Sequence, residues 1–397
     1  MAFAVINRFL HWMVVGVVSP VLVLLILSKN VSLGESGLVM SALSAAVVAL
    51  ELPSGIVSDR IGRKRTYLIA QALFLCSFVL LLFAGDFGSV LVSFLFFGAA
   101  RAFASGSIES DFIDSYLARH GGERLDRLIT GMGVGETLGL ALGALIGGVL
   151  PALAKGLLPG RNEFTLNIAF QILLTLILIG MTVFFHEAKG ERKQTPIGEF
   201  LKEASLTVRR SGALKILLAG AFVWGFAFLS IELYWQPRLR DILADKGQTA
   251  IFGYLNGAYF IVATLGTLLG GRLIARYKPD NFLVMAAFRA VLGTFLAILA
   301  FQSAVALFSV FYLLIMGANG MLSVPESTEF NLGIPEEKRA SLLSLSSLVM
   351  QLGGIFASLL FSLVVASVGI KSVWIVSGAL FALSAVPYAL RAKGKRR

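Results

Sequence analysis

The sequence predicts an all-α membrane protein of twelve transmembrane helices in two six-helix bundles, and three observations predict it. Of the 397 residues, 57% are hydrophobic and only 14% charged, with a mean hydropathy of +0.84, too apolar for a water-soluble domain of this size. The apolar runs are long and continuous, matching the roughly 20 residues a helix needs to cross a bilayer and not the roughly 10 alternating residues of a barrel strand. Lysine and arginine are also segregated: with the spans counted off, 25 of the 34 fall on the side of the termini and seven on the other, while Arg101 and Arg289 lie within spans. Arg8 is counted among the 25. By the positive-inside rule both termini are cytoplasmic. The net charge of +11 is accounted for by this bias and is no sign of a nucleic-acid partner.

The first run, about 9–28, is a retained span. Val14–Leu27 is too long for the apolar region of a signal peptide, and no small-residue cleavage site follows at Ser28, Lys29 and Asn30. His11, near its start, is expected at the interface. The sequon Asn30-Val31-Ser32 occupies a loop of about six residues, too close to the bilayer to be used. The second run, 35–58, carries Glu51 two turns before Asp59, facing a cavity or a cytoplasmic gate. The third, 66–85, holds Cys76, the only cysteine, which excludes a disulfide framework and a thiolate metal site. Both this and the sequon fit a bacterial inner membrane.

The fourth run, 88–116, has Arg101 near its middle and Glu109, Asp111 and Asp114 near its cytoplasmic end, read as gate partners, proton entry points or solvated helix-end charges. In the fifth, 125–150, glycines 131, 135, 139, 143 and 147 recur every four residues. Each step turns about 400°, so they line a slowly winding groove where another backbone can approach. Glu136 lies about 11 residues, roughly 17 Å, into this span, a depth comparable with that of Arg101 counted from the same side. Ionisable groups inside spans are functional suspects. Adjacent antiparallel helices would pair the two, with Glu136 exchanging a proton or, alternatively, with both permanently ionised. The sixth run is 164–186.

The polar stretch 186–212 splits the spans six and six, giving bundles at 1–188 and 213–397 and a cytoplasmic linker at 189–212, partly helical around Gly198–Val208. In the seventh span, 213–236, Glu232 lies near the outer end beside Tyr234, Trp235 and Gln236. A carboxylate next to aromatics suits a cationic lipophilic guest, while an interfacial aromatic belt is expected of Tyr234 and Trp235. The remaining spans are 248–275, 281–301, 303–323, 339–367 and 370–390. Arg289 in the ninth can snorkel to the cytoplasmic face and is assigned no role. Glu326 and Glu329 lie near the cytoplasmic end of the tenth. The tail RAKGKRR anchors the last helix to the membrane surface.

Between the second and third spans stands Gly55-x-x-x-Asp59-Arg60-x-Gly62-Arg63-Lys64. Gly55 and Gly62 permit close approach and a sharp turn, the cations stay at headgroup level, and Asp59 sits at a helix end where it can pair with a cation or a facing helix N-terminus. A purely topogenic cluster would explain the cations but neither the aspartate nor the glycines. A weak counterpart follows the eighth span, Gly271-x-x-x-Ala275-Arg276, and paired six-helix halves are what alternating access needs.

This loop resembles the signature loop of the major facilitator superfamily, at the place where that family has it, and the resemblance in architecture covers the whole chain. It implies two bundles related by a pseudo-two-fold axis. It also implies a role for Asp59 in locking the halves on the cytoplasmic side, for which Arg339, or the N-terminus of its helix, is the expected partner. Gly139, Gly143, Gly147 and Gly148 in the fifth span resemble the antiporter motif of the drug:proton antiporter branches, where the equivalent helix seals the halves on the periplasmic side. Ala144 stands where those branches usually carry proline. The stretches at 51–55, 105–115, 234–239 and 334–345 are similar to a group of bacterial permeases labelled as multidrug transporters.

There is no G-x-x-x-x-G-K-[ST] loop for ATP, no H-E-x-x-H helix, and the three histidines are scattered. No cofactor, no metal and no enzymatic activity are expected. The expected function is secondary transport by alternating access, exporting a small amphipathic compound in exchange for protons from a monomer in the inner membrane. Export of a specific metabolite such as a siderophore, or proton-coupled import, is the alternative within transport. A non-transporting receptor or a lipid scramblase is the alternative outside it.

Overall fold

The computed structural model describes residues 2–105, 107–120, 125–184, 207–209, 211–245, 247–332 and 339–395. Most of the linker expected at 189–212 lies outside them, as do the side chains of Asp59, Asp114 and Arg339. The described elements are helical throughout: α1 (Ala2–Val18), a 3-10 turn (Ser19–Val21), α2 (Leu22–Leu27), α3 (Leu33–Ile61), α4 (Arg63–Phe83), α5 (Phe87–Ala104), α6 (Ser107–His120), α7 (Leu125–Leu157), α8 (Thr165–Phe184), α9 (Gly212–Ile242), α10 (Ala250–Tyr277), α11 (Asn281–Leu299), α12 (Val305–Leu332), α13 (Arg339–Leu383) and α14 (Ala385–Lys395).

Eleven helical stretches are long and apolar enough to cross a membrane, and the last, Leu345–Lys393, runs for 49 residues. A straight helix of that length would reach about 70 Å, more than twice the roughly 30 Å hydrocarbon thickness. Gly369 divides it: at φ 75°, ψ 163° it occupies backbone space that is essentially closed to other residues. The stretch is therefore two spans, and the total is twelve. Gly62 makes the same kind of break, at φ 96° and ψ 154°, between α3 and α4, so the signature loop is a single residue long.

Local sequence sets the other helix starts. Ser32 and Glu35 form a reciprocal capping box at α3, and Asp86 and Ser89 another at α5, satisfying amides that hydrocarbon could not. Asp280 caps α11 through the amides of Phe282 and Leu283. Two spans differ from expectation. The first helix begins at Ala2, which puts Arg8 inside it. The fourth span stops at Ala104, with Ser105 as its C-cap, and the polar stretch that follows forms a separate helix, α6.

The chain divides into two compact units, Met1–Gln194 with Asp245–Gly257, and Thr195–Ala244 with Ala258–Arg397. In the first unit α1 packs chiefly on α7, α3 on α5, and α4 on α5 and α8. The glycine groove of α7 receives α1 in register. A Cβ on Gly135 would lie 2.9 Å from the Val5 carbonyl oxygen and one on Gly143 2.8 Å from that of Met13, while those on Gly139 and Gly147 would strike the carbonyls of Phe9 and Val17. Four residues along α7 match four along α1, so the two helices run parallel at backbone contact. Asn167 of α8 clamps this seam, donating to the carbonyls of Val17 (3.1 Å) and Gly147 (2.8 Å). Gly148 turns aside to Gly253, at the start of α10.

The second unit repeats this pairing internally. Gly353 of α13 meets the Phe222 carbonyl of α9, Gly266 of α10 meets Gly317 of α12, and Gly293 of α11 meets Gly378 in the second half of α13. Spans 1 and 5, 2 and 4, and 3 and 6 of the first unit thus have counterparts in 7 and 11, 8 and 10, and 9 and 12 of the second. Small residues at these seams supply close van der Waals contact where lipid removes any hydrophobic drive between helices.

Candidate functional site

The first unit gathers charged side chains around Arg8. Its guanidinium donates to Glu136 of α7, with Nη2 2.7 Å from Oε2, and pairs through Nη1 with Glu109 of α6 at 3.2 Å. Two helices therefore share one cation contributed by a third. The glycine register explains the first pairing: Gly135 and Gly139 press against the turn of α1 that contains Val5 and Phe9, which leaves Glu136 beside Arg8. The second pairing follows from the docking of α6, whose Ile108 and Phe112 bury against Ala4, Tyr67, Leu128 and Met132. That anchors the helix with Glu109 toward Arg8. Asp111 on the same helix is fully buried.

One turn further along α1, His11 shares the site. Its Nδ1 lies 3.2 Å from the Tyr67 hydroxyl, which also reaches Asn7 Oδ1 at 3.3 Å. Trp12 covers the Arg8 guanidinium at 5.5 Å. Arg8 and Arg101 both act electrostatically on His11. The charge acting on Arg101 is that of Glu51, and although protein surrounds the Arg101 side chain, it remains accessible to solvent. A side chain with both properties faces an open recess. Arg8, His11, Glu51, Arg101, Glu109 and Glu136 are thus one electrostatic cluster drawn from five helices, with two fixed cations and three carboxylates.

The second unit holds two further acids. Glu232 of α9 is enclosed by protein and acts on Tyr259 of α10. Tyr259 stacks on Phe260 at 4.6 Å and meets Tyr312 edge-on at 6.3 Å. Glu326 of α12 pairs with Arg289 of α11, Oε1 to Nη2 at 2.6 Å. The Arg289 guanidinium also donates to Ser384 Oγ (3.0 Å) and lies over the rings of Tyr388 (4.6 Å) and Phe381 (5.0 Å). Glu329 accepts from Asn281 at 3.0 Å.

In the signature loop, Lys64 Nζ donates to the Val183 carbonyl at 2.7 Å, placing a cation at the C-terminal end of α8, where the helix dipole favours it. Arg60 is exposed and Arg63 partly buried. Gly55 has no described atom within 4 Å of a Cβ position, so the close approach expected there is absent from this structure. Among the described residues no group of three or more His, Cys, Asp or Glu could hold a metal ion.

With this geometry the comparisons are decisive about family. The model for the Major Facilitator Superfamily matches residues 4–332. The chain belongs to that superfamily. A Bacillus subtilis (strain 168) protein named as an uncharacterized MFS-type transporter, YxaM, is 24% identical over 403 residues, covering 97% of this chain and 94% of the relative. Among solved structures, the nucleoside transporter NupG superposes with a TM-score of 0.80 at 16% identity over 98% of both chains. The D-xylose-proton symporter does so at 0.71 and 17% identity, over 97% of this chain and 95% of that one. At these identities the structures establish the fold alone.

Several side chains of this facilitator-superfamily transporter sit differently from expectation. Glu136 pairs with Arg8 and not with Arg101, because depth along two helices says nothing of their rotation; Arg101 lies in the last turn of α5 and faces Glu51. His11 packs on Tyr67, Trp12 and Phe74, and is no interfacial residue. Arg289 is fully buried, so it does not snorkel. Tyr234 and Trp235 are also fully buried, which rules out an aromatic belt, and Trp235 packs on Tyr312 at 5.0 Å. Arg8 is the functional residue that sequence reasoning missed. The available signal was the polar face formed by Asn7, Arg8 and His11 within one turn of a hydrophobic helix.

Proposed function

We propose that the protein is a proton-coupled secondary transporter working by alternating access, with Glu136 as the proton-exchanging group. The carrying observation is the sharing of Arg8 by Glu136 and Glu109. Arg8, Arg101, Glu51, Glu109 and Glu136, all ionised, sum to one negative charge in a setting where net charge is costly; one proton brings the sum to zero. Glu136 is the member whose partner can be exchanged: protonation there leaves Arg8 held by Glu109 alone, loosening the joint between α1, α6 and α7. The inner-membrane location, the cytoplasmic termini and the gating role of Asp59 with Arg339 belong to the same reading.

Export of amphipathic compounds, as in the drug:proton antiporters, is a second reading, favoured by Glu232. This carboxylate has no described hydrogen bond or ion pair and lies next to aromatic rings, as a cationic guest would require. The test is transport in proteoliposomes carrying an imposed pH gradient. A solute driven against its own gradient, and stopped by a protonophore, supports the reading; the sign of that movement sets import or export. Binding of a solute without any coupled proton movement contradicts it.

A further inference from the structure

The second unit contains a cavity of about 240 Å³ opening beside Glu326, with Ser323, Ser327, Asn331, Ser346 and Phe330 in its wall. Taking about 30 Å³ per water, this is the volume of roughly eight waters, below the 300–1,000 Å³ of a drug-sized site. It therefore holds a small solute, or one polar part of a larger one.

The electrostatics of the wall select the kind of solute. Glu326 is the only acid facing the cavity among the described residues, and it is already compensated. Arg289, with its side chain 1% exposed, holds one carboxylate oxygen at 2.6 Å. Ser384 and the faces of Tyr388 and Phe381 fix that guanidinium, and Gly220 leaves the room it needs, since a Cβ there would lie 2.7 Å from Nη2. A carboxylate neutralised this firmly offers a cation little net attraction, yet its exposed lone pairs remain strong hydrogen-bond acceptors. Around it, Ser323 donates to the Gly320 carbonyl and the Asn331 amide to the Ser327 carbonyl, so these two side chains turn their acceptor oxygens outward. Such a wall, rich in acceptors and neutral overall, matches a ligand rich in hydroxyl donors. Glu232 is the contrast, an acid with no compensating cation.

We infer that this cavity is the recognition site for a neutral, polyhydroxylated solute, with Glu326 accepting hydrogen bonds from its hydroxyls and Arg289 acting as the positioning residue for that carboxylate. The inference rests on the transport reading and adds a substrate class to it.

The test uses the full chain in nanodiscs, with Cys76→Ser removing the native thiol and Ser346→Cys placing a reporter in the cavity wall. D-xylose and uridine serve as neutral polyhydroxylated probes, and tetraphenylphosphonium as the cationic one. At saturation at least one neutral probe should slow alkylation by N-ethylmaleimide fivefold or more. Adding Glu326→Gln should raise the concentration needed for protection at least tenfold. If Glu326→Gln does not fold, Ser327→Ala, which leaves the Arg289–Glu326 pair intact, should weaken protection at least threefold. Protection by tetraphenylphosphonium alone, or by no probe, overturns the inference. Proton-coupled flux that persists in the same protein without protection overturns the cavity assignment and leaves the transport reading standing.

Discussion

Arg8 is the residue on which the first unit's chemistry turns. Removing it leaves Glu109 and Glu136 adjacent with no shared cation, so Arg8→Gln should destabilise the folded protein by about 1–3 kcal/mol. That is below the roughly 3–5 kcal/mol of a broken, fully buried pair, because the Glu109 side chain is 43% exposed and solvent screens it. Arg289→Gln should cost more, approaching that upper range, since it removes a guanidinium with a 1% exposed side chain. Thermal unfolding in detergent, comparing both variants with wild type, checks the order; Arg8→Gln as the more damaging of the two would contradict it. The acids of both sites could be named from the sequence because a charge inside an apolar run is conspicuous. Arg8 escaped because it lies so near the N-terminus that it reads as a topological charge. The Arg101–Glu136 pairing failed for another reason: residue counting fixes depth, whereas partners are chosen by helix rotation.

Rotation was nonetheless encoded at the scale of the element, in the glycines of α7. Their four-residue repeat announces a groove, and the structure fills it with α1, carbonyl by carbonyl. The sequence alone could not say which helix would enter, because any backbone satisfies the same small-residue requirement. Gly139→Ala should therefore destabilise the protein by about 1–3 kcal/mol through overpacking. Gly133→Ala on the same helix, with no atom within 4 Å of its Cβ position, should be neutral or slightly favourable through helix propensity. Equal melting temperatures for the two variants would show that the groove is not packed as described. At the turns, Gly62→Ala and Gly369→Ala should each cost about 1–3 kcal/mol, since both glycines hold backbone angles that other residues avoid.

For the whole molecule, the twelve spans were legible because each must supply about 20 apolar residues, and a constraint that strong leaves its mark in any sequence. Only the lengths at two polar edges shifted, at the start of α1 and at Ser105. Sidedness follows from the asymmetry of lysine and arginine and yields its own prediction. In a Cys76→Ser background, a membrane-impermeant thiol reagent applied to intact cells should label Arg161→Cys and spare Arg65→Cys, and the opposite pattern would invert the topology. The repeated pairing of spans within each unit supports the rocking-bundle reading, and the shared guanidinium of Arg8 supplies a place where a proton can be felt by three helices at once.

The central claim is that Glu136 carries the proton, and one comparison in proteoliposomes tests it most directly. For a solute that the wild type drives against its gradient when a pH difference is imposed, Glu136→Gln should lose uphill movement by tenfold or more while still exchanging labelled for unlabelled solute across the membrane. Uphill movement at the wild-type rate in Glu136→Gln would contradict the account.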